Sequence, residues 1–273
     1  MQQLKRNGIA LFYEEAGKGA PPIVLVHGLA GDHTFMTPQF EHFRRSHRVV
    51  SVDLRGHGQS EQPQQEYTIA GFADDLAWLC RELGIYKPVL IGHSLGGMIV
   101  LDLAARYPDV PAAIVALDAT IVPPAGTDAW LQPVTQGLRT PAYREVLRQF
   151  LELNFAPTDD PQRKARLVDQ MASAPQQVVV STWDGMFAWD SASAAAACNV
   201  PALYLDTGTP NPDLQRFHEL CPQLVIGKTV GSGHFLELEV PEQVHAMIDR
   251  FLAITLSPSA TIIQAGAASQ TAQ

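Results

Sequence analysis

The chain has 273 residues, 46% of them apolar, which suffices for a large buried core and suits one α/β domain carrying an insertion. Its formal charge of -9 comes without any basic cluster, which argues against nucleic acid or an anionic membrane surface as a partner and leaves a small molecule as the expected one. Cys80, Cys198 and Cys221 are odd in number and far apart, so neither a disulfide framework nor a zinc site is expected, and the absence of a signal-like or membrane-length apolar run predicts a soluble, cytoplasmic protein.

In chain order, residues 8–14 (GIALFYE) read as a strand, a turn cluster follows at 17–22, and residues 23–26 form a short apolar run typical of a buried strand. His27-Gly28-Leu29-Ala30-Gly31 comes directly after it, then a helix-like stretch over 34–45. Residues 49–52 are a third buried run, closed by Asp53-Leu54-Arg55-Gly56-His57-Gly58-Gln59-Ser60. Ile69, Phe72, Leu76, Leu79 and Leu83 recur at helical spacing, and the next apolar run, 89–91, leads into a second helix that continues to Pro108. Strand alternating with helix implies a mostly parallel central sheet with helices on both faces.

The rhythm breaks after residues 112–117, a strand that ends at Asp118. Residues 121–196 hold prolines, helix-like pieces such as 143–153, and the aromatics Trp130, Trp183, Phe187 and Trp189. An insertion of this size at one loop reads as a helical cap over the carboxyl edge of the sheet, with a core of 1–120 and 197–255. Most of its aromatics are expected in its own core, with one or two lining a pocket; Trp183, Phe187 and Trp189 are the candidates. The strand and helix pattern resumes at 202–205, 212–220, 224–229 and 241–252, and the tail 256–273 has little to bury and is expected to be disordered.

The chemistry centres on Gly92-His93-Ser94-Leu95-Gly96, a G-x-S-x-G between strand and helix. A turn this tight brings backbone close to the serine, so its flanks must lack side chains, and it lifts the hydroxyl out of the sheet with the Leu95 N–H aimed at the same space. Ser94 is the candidate nucleophile. A serine needs a base, and His234, in a Gly-Ser-Gly-His loop after a late strand, is the candidate among nine histidines. His218 and His245 fall within helices, His27 and His93 read as structural neighbours of the site, and His57 as a loop residue.

Taken together, His27-Gly28, the Asp53 to Ser60 segment, Gly92-His93-Ser94-Leu95-Gly96-Gly97 and Gly233-His234 resemble, in this order, the α/β-hydrolase fold family, over about residues 8–253. The resemblance implies a Ser-His-acid triad, no cofactor and no metal, and an oxyanion hole from the N–H groups of Leu29 and Leu95. A serine at the elbow disfavours the dehalogenase and epoxide-hydrolase branches, which carry Asp there. The acid departs from the family pattern: the usual position falls near Thr209 or Pro210, neither of them acidic. Asp118, at the end of the strand after the Ser94 helix, is the first candidate, as in a minority of relatives; Asp206 and Asp213 are the others.

Look-alike motifs carry nothing. Gly227-Lys228-Thr229 imitates the end of a phosphate-binding loop, but Pro222 stands where its first glycine would be, and no G-x-G-x-x-G opens a helix. The expected function is a serine hydrolase, carboxylesterase-like, acting on a small ester, lactone or related acyl compound. Its alternatives are a C–C bond hydrolase, a cofactor-free dioxygenase, or a ligand-binding protein on a hydrolase scaffold.

Overall fold

A computed structural model describes residues 2–208 and 212–256. The expected disorder of the tail therefore falls outside the described residues, apart from Leu256. Eight strands form one sheet: β1 (Gln2–Arg6), β2 (Ile9–Ala16), β3 (Ile23–Val26), β4 (Val49–Val52), β5 (Val89–His93), β6 (Ala113–Leu117), β7 (Ala202–Asp206) and β8 (Leu224–Lys228), in the order β1-β2-β4-β3-β5-β6-β7-β8. β2 runs antiparallel to β1 and β4, and all other neighbours are parallel. The central strands β3 to β7 are buried along their whole length and are apolar on both faces apart from Ser51, His93 and Asp206, as helix-covered parallel strands require.

Strand β1 is missing from the expectations above. Its residues, QQLKR, hold one apolar side chain, because an edge strand with both faces wet has no reason to alternate. The signal lay instead in the turn: Asn7 and Gly8 both take positive φ, 52° and 86°, the two-residue hairpin turn that Asn-Gly favours.

Period-two alternation sends Ile23 and Leu25 to one face and Val24 and Val26 to the other. The first face is covered by helices α1 (Thr37–Phe43) and, at the far end of the chain, the helix Pro241–Thr255, through Phe40, Phe43, Val244, Ile248 and Phe251. A 3₁₀ turn, His33–Met36, replaces the first three residues of the helix expected over 34–45. The second face is covered by α2 (Ile69–Glu82), capped by Thr68 Oγ1 accepting from Gly71 N at 3.0 Å, and α3 (Leu95–Arg106), every residue of which from Leu95 to Ala104 is buried.

Between β6 and β7 run five helices: α4 (Thr127–Gly137), α5 (Tyr143–Glu152), α6 (Pro161–Ala172), α7 (Gln176–Ala188) and α8 (Ser191–Ala197). The last of them packs along α3 rather than over the sheet edge. Three more helices follow: α9 (Leu214–Leu220), α10 (Leu236–Glu239) and α11, the Pro241–Thr255 helix already placed. Among the described residues, no helix is long and apolar enough to cross a membrane.

Register decides what meets at the carboxyl edge. His93 pairs with Leu117, and Leu117 with Leu205, so Ser94, Asp118 and Asp206 stand at one level on adjacent strands. The turn after β5 needs its glycines: a β-carbon on Gly92 would lie 2.2 Å from the Gly96 carbonyl carbon, and one on Gly96 would lie 2.3 Å from Val26 O. These are backbone atoms, of the first turn of α3 and of β3, and cannot yield. Gly92→Ala should therefore cost about 3 kcal/mol or more in urea unfolding. Gly126→Ala, at φ 91° with nothing within 4 Å of its β-carbon, should cost only about 1 kcal/mol for the left-handed backbone. Equal losses at the two sites would contradict the clash.

Candidate active site

Ser94 is the N-terminal cap of α3 and has φ 52° and ψ −117°, a conformation a side chain rarely adopts. Three backbone bonds hold it there: Ser94 N donates to Leu117 O (2.9 Å), and Ser94 O accepts from Gly97 N (2.9 Å) and Met98 N (3.2 Å). Its hydroxyl makes no capping bond. Leu95 opens α3, so its N–H sits at the positive end of that helix beside Ser94.

The loop after β3 is fixed by His27. Its Nδ1 donates to Gly28 O (2.7 Å) while its Nε2 accepts from Leu54 N (3.1 Å), a neutral tautomer that burial favours by lowering its pKa. Gly28 lies against the elbow: a β-carbon there would be 3.2 Å from Ser94 Cβ. Leu29 thereby reaches the same cavity as Ser94.

Asp118 follows β6, fully buried and at φ 42°, with its N donating to Leu205 O (3.0 Å). Its Oδ2 accepts from His234 Nδ1 at 2.7 Å, and its Oδ1 accepts from Thr207 Oγ1 at 3.2 Å. The other two carboxylates are engaged elsewhere. Asp206 pairs with Lys228 Nζ at 3.6 Å, and Asp213 caps α9 by accepting from Arg216 N at 2.9 Å. Thr209 and Pro210 lie outside the described residues.

His234 is held from three sides. Its N donates to Asn154 O (2.7 Å) in the loop after α5, Gly233 N donates to Glu239 Oε2 (2.9 Å), and its carbonyl accepts from His93 Nε2 (2.8 Å). A β-carbon on Gly233 would lie 2.5 Å from Ala156 N, so the inserted helices and the histidine loop fit only without a side chain there. Asn154, Thr207 and Glu239 carried no sequence signal, since their contribution is a backbone carbonyl, a hydroxyl and a cap whose partners are remote in the chain.

Behind His234 lies a buried pair that the sequence did not announce. Because His93 Nε2 donates to a carbonyl, its Nδ1 is an acceptor, and it faces Glu237 Oε1 at 3.4 Å. Burial, and after it the neighbouring His234, push His93 well below the usual imidazole range. Burial also holds the Glu237 carboxyl well above the usual carboxylate range, and the carboxylates of Glu239 and Asp118 push the same way. A protonated Glu237 and an acceptor at His93 Nδ1 are complementary in character, although at 3.4 Å neither atom makes a hydrogen bond.

Ser94, His234 and Leu29 line one cavity of about 810 Å³. Trp183, Phe187 and Trp189 line it too. Trp183 is buried, packs edge-on against Phe150 (5.3 Å between centroids) and donates from Nε1 to Thr135 Oγ1 at 2.9 Å. Trp189 donates from Nε1 to Asp102 Oδ1 at 2.9 Å, and Phe187 is 39% exposed at the mouth. Among the described residues, no hydrogen bond joins Ser94 Oγ to His234, a contact that often tightens only when substrate arrives.

The remaining histidines serve the scaffold. His57 donates from Nδ1 to Arg55 O (3.0 Å), and burial lowers its pKa to about 3. His245 stacks on His42 at 4.1 Å, and His218 is exposed. Asp32, His33 and Asp53 bring ligand-type atoms within 4.8 Å of one another, a cluster their spacing did not suggest. Each of their four carboxylate oxygens already accepts a hydrogen bond: Asp53 Oδ1 from His33 N and Nδ1, Asp53 Oδ2 from Gln59 N, Asp32 Oδ1 from Thr34 N and Asp32 Oδ2 from Gln170 Nε2.

Comparison with known proteins agrees with this fold. A family model described as the alpha/beta hydrolase fold matches residues 21–239. The 2-(acetamidomethylene)succinate hydrolase of Mesorhizobium japonicum is 36% identical over 112 residues, 41% of this chain and 40% of its own length. The matched stretches thus span well under half of the curated relatives. Among solved structures, a thermophilic esterase from Thermogutta terrifontis is 26% identical with a TM-score of 0.82, covering 94% of this chain and 100% of its own. The enol-lactonase of Burkholderia xenovorans, 23% identical with a TM-score of 0.83, covers 92% and 100% and shares the fold.

The Glu237 site gives a stability prediction. Its carboxyl keeps its proton in the folded chain, whereas the unfolded chain loses it near 4.5. Unfolding above that pH releases a proton, so this group's contribution falls as pH rises, by about 1.4 kcal/mol per unit until the folded pKa is reached. Glu237→Gln removes the term, and its urea midpoint relative to the parent should climb from pH 5 to pH 8. A difference that does not change with pH would show that Glu237 is ionised in the folded protein.

Proposed function

Because this chain belongs to the alpha/beta hydrolase fold family, we propose that it hydrolyses an ester, lactone or related acyl compound through an acyl-enzyme on Ser94. The observation that carries this reading is the 2.7 Å contact between His234 Nδ1 and the buried Asp118 Oδ2, on a histidine that opens into the same cavity as Ser94. An imidazole whose Nδ1–H is held by a carboxylate presents a lone pair at Nε2, which is what a serine base needs.

In this mechanism Ser94 Oγ attacks the substrate carbonyl as His234 Nε2 takes its proton. The N–H groups of Leu29 and Leu95 hold the oxyanion that develops, the second of them reinforced by the α3 dipole. His234 returns the proton to the leaving alcohol, the C–O bond breaks, and the acyl group remains on Ser94. Water then repeats the sequence: His234 takes its proton, hydroxyl adds to the acyl carbon, and Ser94 leaves with the proton returned. Asp118 stabilises the imidazolium in both halves without itself being protonated. The inserted helices act as a cap, with Trp183, Phe187 and Trp189 forming part of the acyl pocket. Every group the reaction uses is supplied by the chain, so no cofactor enters.

Ser94→Ala should lower kcat on an activated aryl ester by on the order of 10⁶-fold with the fold intact, and an organophosphonate should add its mass only to the peptide containing Ser94. Asp118→Asn should lose about 10⁴-fold in kcat, because the amide favours the wrong histidine tautomer. Asp206→Asn and Asp213→Asn, assayed beside it, should stay within a few-fold of the parent. A dead Asp206→Asn or Asp213→Asn beside an active Asp118→Asn would move the acid to the later loop and sink the triad.

A further inference from the structure

The cavity around Ser94 is unusual in what its wall lacks. Phe150, Leu147, Leu151, Met171 and Met186 face it from α5, α6 and α7, together with the three aromatics already described. Thr120 adds a hydroxyl-bearing residue to the wall, and several of the other polar atoms that could interrupt this surface are turned to protein partners. Trp183 Nε1 is spent on Thr135 and Trp189 Nε1 on Asp102; Asn154 Nδ2 donates to Phe150 O, and Ser191 Oγ accepts from Val122 N. No lysine or arginine lines the cavity, and none occurs among residues 209–211 or 257–273.

The inserted helices do carry cations, but they point elsewhere. Arg139 pairs with Asp184 and Arg148 with Asp169, each at 2.5 Å, Arg163 pairs with Asp159, and Lys164 lies over the Phe155 ring and donates to Glu152 O. The one charged carboxylate on the lining away from the His234 site is Asp128, exposed in the first turn of α4, and the whole chain carries a net charge of -9. A carboxylate on the acyl portion of a substrate would have to shed its water in a largely apolar chamber with no cation to pair it and would approach past a like charge. A neutral chain would instead exchange water for carbon contacts along its length.

Building on the hydrolase reading, we infer that this site selects neutral acyl compounds with an extended apolar or aryl acyl group, and rejects acyl groups that end in a carboxylate. The chamber's volume falls in the range that encloses a ligand of drug size, so an acetyl group leaves most of the wall uncovered.

Three esters of one leaving group separate length from charge: 4-nitrophenyl acetate, 4-nitrophenyl hexanoate, and mono-4-nitrophenyl adipate, which has hexanoate's six-carbon acyl chain with a carboxylate at its end. Hexanoate should exceed acetate in kcat/KM by at least about tenfold, since a buried methylene is worth up to roughly fourfold. The adipate half-ester should fall below hexanoate by on the order of 10²-fold, and its neutral methyl ester should recover most of that loss. Phe187→Arg, placing a cation at the exposed rim, should raise the half-ester to hexanoate ratio by about tenfold.

Binding without turnover provides the independent arm. Three of the four tryptophans, Trp130, Trp183 and Trp189, line the cavity, so quenching of tryptophan fluorescence reports occupancy. The neutral ketone 2-nonanone should bind at least about tenfold tighter than 7-oxooctanoate. A half-ester as good as hexanoate, an acetate rate equal to the hexanoate rate, or equal binding of the two ketones would overturn the inference. Preferential binding of the neutral ketone with no ester turned over would leave the inference standing and remove the hydrolase reading instead.

Discussion

Everything at the carboxyl edge depends on how closely β3, β5 and the start of α3 approach one another. Val26 O lies so near Gly96 that a β-carbon would sit 2.3 Å away, and Gly92 is as tightly opposed to Gly96 itself. This contact forces the chain at Ser94 into a left-handed conformation, and the bond from Ser94 N to Leu117 O then ties the turn to the neighbouring strand. Because β5, β6 and β7 share one register, the tie also sets the height of Asp118 relative to Ser94. The strain is local, and the sheet on either side of it bears the cost.

The histidine loop has no comparable strand to define it. It is positioned by elements that arrive from three directions: the Asn154 carbonyl from the insertion, the Glu239 carboxylate from α10 and the His93 ring from the end of β5. Phe235 adds an apolar anchor by stacking on Phe155 at 4.6 Å. The insertion consequently does more than enclose a chamber. It also holds the His234 loop, through the bond from His234 N to Asn154 O.

Burial determines the protonation of the groups around this centre. His27, His57 and His93 are all enclosed and kept neutral, each with one ring nitrogen committed to a backbone carbonyl. Glu237 is their counterpart among the acids, a carboxyl kept neutral in the same way. His27 and His57 lie near the buried Asp53, and Glu237 near Asp118.

The sequence by itself determined the sheet's central strands, the elbow at Ser94 and the candidate histidine, because each of these is local: an apolar run of four or five residues, a glycine pair with a serine between, a histidine in a glycine loop. It left β1 unread because a solvated edge strand has no hydrophobic period, although Asn7-Gly8 marked its turn. It also left three carboxylates open, since Asp118, Asp206 and Asp213 all follow or end a strand near the same sheet edge. Only the tertiary structure decided among their contacts, turning Asp118 to His234, Asp206 to Lys228 and Asp213 to the end of α9. The same holds for the Glu237 and His93 pair and for the chamber without a cation. Asp118 and His234, and likewise His93 and Glu237, are more than a hundred positions apart, and side-chain direction across such a separation is recorded by no local pattern.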